Sequence, residues 1–246
     1  MKNLKLSVFI PFFAVIIFLR SQEIYSQYDS TALSVINKMS GTISDMQSCS
    51  FKLQTNYDVF DYDLGNIKHS ENAEVYMKGS NKFKVEKRGD KGHKEILYDG
   101  WNLVFYSFHN NQYAVQPAPA TSMETIEEFS LKYGIEFPGA DVFYPNLSQD
   151  ITSSSQKLSN LGKTKVTNIE CYHLAWKTDK MTIQLWIADD ANSLPVKLSI
   201  VYNDEQGSPQ YEAIFSDWNI NPELADSMFD FTVPPKAMKV KFSPSK

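Results

Sequence analysis

From residue 181 to 218 the chain reads MTIQLWIADDANSLPVKLSIVYNDEQGSPQYEAIFSDW, where Met181, Ile183, Leu185 and Ile187 alternate with Thr182, Gln184, Trp186 and Ala188. After a polar loop over 189–193 the alternation resumes at Val196, Leu198 and Ile200. A period of two predicts strands with one apolar and one polar face. The same pattern marks twelve stretches, over 50–59, 73–78, 82–87, 94–99, 102–108 and 112–115, then over 156–163, 166–177, 181–188, 195–203, 210–217 and 229–233, from which a sheet of about 10 to 11 strands is expected. The links are short and rich in Gly, Asn and Asp. They predict antiparallel hairpins, because a parallel crossover needs a dozen or more residues.

Two stretches depart from that period. Ala32, Val35, Ile36, Met39, Ile43 and Met46 form one stripe at helical spacing, so a helix is expected over 30–46 with Ser30 as its cap. Between the two runs of strands, PAPATSMETIEEFSLKYGIEFPGADVFYP predicts a helix capped at Thr121 or Ser122 and carrying Ile126, Phe129 and Tyr133, then a short one over 140–144. A sheet of this many strands must curl or split as its twist accumulates. The expected fold class is therefore α+β: a strongly curved, open antiparallel half-barrel with helices packed in its concave face. With 13% aromatic residues, that interior is large. Parity places Leu53, Met77, Phe83, Leu103, Leu174, Trp176, Ile183, Leu185, Leu198 and Ile200 on the concave face, as candidates to line a cavity; a slip of one residue would turn each outward.

The N-terminus changes the compartment. Lys2 and Lys5 precede an apolar run from Leu6 to Leu19, followed by Arg20, which reads as a secretory signal peptide over 1–26 with cleavage after Ser26. About fourteen helical residues span ~21 Å, short of a bilayer core of ~30 Å. No cysteine near the cleavage site supports a lipid anchor. The expectation is a periplasmic, monomeric protein with one domain over 27–246, long enough for a sizeable core.

Composition narrows the partners. The formal charge of -5 becomes more negative once Lys2, Lys5, Arg20 and Glu23 are removed, and no basic patch with interleaved aromatics appears, so nucleic acid is not an expected partner. Cys49 and Cys171 could pair in an oxidising compartment. Parity sets Cys49 on the apolar side of its strand and Cys171 on the polar side of its own, so a bridge would need a bulge or a strand end. The histidines at 69, 93, 109 and 173 show no ligand spacing. Asp58, Asp61 and Asp63 fit a hairpin tip better than a calcium loop, and Asp189 with Asp190 a strand connection. No G-x-S-x-G elbow occurs. Neither a cofactor nor a metal is expected, and the chain reads as non-catalytic.

The segments YDGWNLVFYS, HNNQYAVQPAP, LWIADDANSLPVKLSIVYNDEQGSPQY and FSDWNINPELADSMFDFTVPP, in this order, resemble a family of predicted periplasmic proteins grouped with the LolA-like and LolB-like half-barrels. The resemblance spans nearly the whole chain after residue 26. It implies an incomplete antiparallel barrel around helices, in a superfamily whose members carry lipoprotein acyl chains, bind other lipids, or sense envelope stress through a protein partner. The lipoprotein carrier's arginine latch has no counterpart, since Arg88 is the only arginine after residue 26. The functional expectation is a binder or carrier of a lipid, a lipoprotein acyl chain or another hydrophobic ligand. The alternatives are an envelope sensor that binds a protein partner and, less favoured, a hydrolase.

Overall fold

A computed structural model describes residues 28–137 and 139–243. The expected signal peptide lies outside these residues. Helix α1 (Ser30–Ser44) is capped by Asp29 rather than Ser30: the Asp29 carboxylate accepts the Ala32 amide at 3.0 Å. It buries Ala32, Val35, Ile36 and Met39 and stops short of the expected Met46. The chain then makes a meander of β1 (Ser48–Asp61), β2 (Gly65–Lys78), β3 (Lys82–Gly89), β4 (Gly92–Tyr98), β5 (Asn102–Ser107) and β6 (Gln112–Pro117). Asp61 closes the first hairpin by accepting the Asp63 and Leu64 amides, each at 2.9 Å.

The insert carries α2 (Ser122–Tyr133), a 3-10 turn (Ala140–Phe143) and α3 (Leu147–Ser154). Thr121 and Glu124 form a capping box at the start of α2, which settles the choice between Thr121 and Ser122. A second meander follows: β7 (Lys157–Val166), β8 (Ile169–Lys177), β9 (Met181–Ala188), β10 (Pro195–Tyr202) and β11 (Gln210–Ile220). A short β12 (Met238–Lys239) is the last strand of the described chain.

Among the described residues all strands form one sheet of twelve, in the order β12-β6-β5-β4-β3-β2-β1-β11-β10-β9-β8-β7. Eleven of the expected stretches form β1 to β11, and the unexpected β12 brings the described total to twelve; it pairs with β6 in parallel, the exception to an otherwise antiparallel ladder. The two meanders meet where β1 pairs with β11. This order fixes the place of the helices. β7 is one edge and β6 stands beside the other, so the insert linking them must cross the width of the sheet. It crosses on the concave side, where Ile126, Phe129, Val142 and Ile151 join the main core with α1.

The segment over 229–233, expected as a strand, is instead the end of a 3-10 turn (Asp226–Phe229) and extended chain. Its alternating Phe229, Phe231 and Val233 imitate a strand without pairing as one. Phe229 is buried, and the Phe231 ring packs 5.8 Å from Tyr106 and 5.3 Å from Tyr113. The convex face of β5 and β6 is thus apolar as well, and the C-terminal tail covers it.

Candidate functional site

The concave face is filled at one end and hollow at the other. Over the first meander α2 packs tightly: Met77 and Phe83 meet Met123 and Ile126 around a void of only about 20 Å³. Phe83 adds ring contacts with Tyr98 at 5.4 Å and Phe137 at 5.7 Å. Leu103, Leu174 and Leu53 are also buried in this core. Those five candidates lie on the expected face but are closed off by the protein's own side chains.

Over the second meander the roof is thin, and a cavity of about 620 Å³ remains. Its floor includes Trp176, Ile183, Leu185, Leu198 and Ile200, the other five candidates. Cross-strand register brings them together: Trp176 pairs with Ile183, Leu185 with Leu198, and Ile183 with Ile200. The roof is made by Phe137, Gly139, Val142 and Tyr144 around the 3-10 turn and by Leu147, Ile151 and Ser154 of α3. Gly139 allows the roof to touch the sheet. Its φ is +74°, and a β-carbon there would lie 2.9 Å from the Phe215 ring and 3.2 Å from Leu53.

The wall also contains polar groups that the parity reading left out. Thr55 and Tyr57 extend the row of Leu53, Tyr202 that of Leu198 and Ile200, and Tyr211 that of Ala213 and Phe215; all four line the cavity. Their alternation was the available signal. Asp58, Glu71, Glu136, Asp141, Asp150 and Glu205 are carboxylates in the same lining. Lys68 pairs with Asp58 at 2.7 Å, Lys87 with Glu71 at 3.4 Å and Lys91 with Glu136 at 3.7 Å. None of these lysines lines the cavity.

Asp141 has more than a third of its surface open, yet that surface faces into the concavity, crowded by protein. This partial burial raises its carboxyl above the ordinary aspartate range. Burial also raises the phenols of Tyr144, Tyr202 and Tyr211, and the negative charge of Asp141 adds to each. The Tyr211 hydroxyl oxygen is withdrawn from bulk solvent and has no partner with hydrogen-bond geometry; the nearby Gly139 amide eases its environment only partly. The site joins an apolar floor to a tyrosine- and carboxylate-bearing wall.

Other candidate chemistry lies elsewhere. Cys49 and Cys171 are free thiols: Cys49 belongs to the concave core, and Cys171 to a separate cluster with Ala188 and Val196 on the convex side. Burial pushes the Cys49 thiol up to about 12 and raises that of Cys171. His93 stacks 3.6 Å from Phe108 and meets Glu86 at 2.7 Å, while His173 stacks 4.2 Å from Trp186. Among the described residues no group of His, Cys, Asp and Glu has the geometry of a metal centre. No helix among them is long and apolar enough to cross a membrane.

Residues 32–243 match a family described as "Predicted periplasmic protein (DUF2092)". No curated protein matches significantly. Among solved structures, an uncharacterised conserved protein from Thermus thermophilus is 12% identical with a TM-score of 0.50, over 86% of this chain and 99% of that one. It shares the fold. The Mycobacterium tuberculosis lipoprotein LppX is 16% identical with a TM-score of 0.48, over 80% of this chain and 100% of that one. A LolA superfamily protein from Nitrosomonas europaea is 12% identical with a TM-score of 0.36, over 81% of this chain and 97% of that one.

Proposed function

The chain belongs to the DUF2092 family of predicted periplasmic proteins, and from that premise we propose that it binds or carries a hydrophobic ligand, a lipid or an acyl chain, without catalysing a reaction on it. The observation that carries this reading is the hollow half of the concavity. A volume of about 620 Å³ over a floor of Trp176, Ile183, Leu185, Leu198 and Ile200 falls within the range of small-molecule sites. Each methylene that leaves water for such a floor contributes roughly 0.8 kcal/mol, so ten contribute ~8 kcal/mol before ordering costs. In this reading residues 1–26 direct secretion and 27–246 act as a monomeric periplasmic domain.

Native mass spectrometry of protein purified from the envelope, followed by solvent extraction, tests the proposal. Retention of an extractable lipid or acyl species supports it. Empty protein whose melting temperature is unmoved by alkyl-chain probes contradicts it. A second reading, an envelope protein that docks a partner, draws on the β1–β2 hairpin, where Tyr62 and Leu64 are 87% and 78% exposed beside Val59 and Ile67. Crosslinking in cells through that hairpin, with the cavity empty, would favour it.

A further inference from the structure

We infer that the cavity takes an amphiphile with a cationic head, an alkyl or acyl chain ending in an ammonium group, with the chain over Leu185 and Ile200 and the nitrogen among Asp141, Glu205, Tyr202 and Tyr211. The inference rests on the hydrophobic-ligand reading above and specifies the ligand's polar end.

Among the described residues no lysine or arginine lines the cavity, although six carboxylates do. Three of these are offset by lysines outside the lining. Asp141 and Glu205 have no ion-pair partner among the described residues, the Asp141 carboxylate meeting only its own backbone amide, and both bear electrostatically on Tyr202. An anionic head here would meet only like charge, whereas an ammonium would supply the missing counter-charge. Tyr211 is an independent observation: its buried hydroxyl has no partner with full hydrogen-bond geometry, the Gly139 amide being only nearby, although the residue lines the cavity close to Asp141. A buried hydroxyl left without a partner is costly, and a ligand N–H donating to its oxygen would satisfy it.

The test compares dodecylammonium, dodecyl maltoside and dodecyl sulfate, each below its micellar concentration, as competitors of a fluorescent apolar probe at low and high salt. The chains are identical, so the heads alone differ. Dodecylammonium is expected to bind at least about tenfold more tightly than dodecyl sulfate. Asp141→Asn with Glu205→Gln should reduce that preference to about twofold, while Glu223→Gln, which removes a charge at the surface, should leave it intact. Equal or tighter binding of the sulfate, or a preference unchanged in the double variant, overturns the inference and leaves hydrophobic binding standing. Failure of all three chains to compete overturns both.

Discussion

Lys87 Nζ lies 3.4 Å from the Glu71 carboxylate with only 5% and 6% of the two side chains exposed, a buried ion pair at the base of the cavity wall. The same ammonium donates to the Glu136 carbonyl at 3.3 Å and so ties the sheet to the insert just before the roof. Breaking a buried pair from one side leaves the other charge stranded. Lys87→Met should therefore cost about 3–5 kcal/mol in urea unfolding. The double variant Lys87→Met with Glu71→Leu should recover much of the loss, because neither charge is then left alone.

Gly139 permits the roof to rest on Phe215. Gly139→Ala must hold a side chain at φ +74° and press a β-carbon against the ring. Unfolding should show a loss of about 1–3 kcal/mol, from left-handed backbone and overpacking together. Binding of an apolar probe should weaken as the roof is lifted.

Asp141 gives a pH-dependent prediction. Its folded carboxyl is raised by burial in the concavity, so the folded state holds the proton more tightly than the unfolded chain. Its stabilising contribution is present below the unfolded aspartate range and is lost as pH rises through the raised folded value. Asp141→Asn should accordingly raise the melting temperature at neutral pH, and the gain should shrink as pH falls from the raised folded value and vanish below the ordinary aspartate range. A gain independent of pH would assign the effect to packing instead.

The two thiols should remain reduced and slow. Cys49 is pushed up to about 12 by burial, so little thiolate exists at neutral pH, and Cys171 is buried on the opposite face of the sheet. Alkylation should be slow in the native protein and reach both cysteines after unfolding. Oxidised protein that resists alkylation in denaturant would show a bridge.

Much of this arrangement is legible in residue parity. The alternation of Ile183, Leu185, Leu198 and Ile200 identifies the concave face, because a strand can turn only every second side chain toward a core. Parity says nothing about what covers that face. Met77 and Phe83 meet α2, whereas Leu185 and Ile200 meet a void, and the difference comes from the path of the insert. Asp141 and Asp150 sit on that insert without any periodic signal, and α3 itself has a short, polar sequence with Ile151 as its buried residue. Tyr202 and Tyr211 had the correct parity, but their hydroxyls obscured it. Phe229 and Phe231 show the opposite failure, since alternation in an extended tail resembles a strand even where no ladder forms.

The most direct measurement is the melting temperature of the purified protein with unbranched alkylamines of increasing chain length, each below its micellar concentration, alongside Ile200→Trp, which places an indole in the cavity. The expected result is a rise with each added methylene, in keeping with roughly 0.8 kcal/mol per buried group, that levels off once the cavity is full and is largely abolished in Ile200→Trp. A shift independent of chain length, or one equally large in Ile200→Trp, would contradict an account in which the ligand lies on the floor formed by Ile183, Leu185, Leu198 and Ile200.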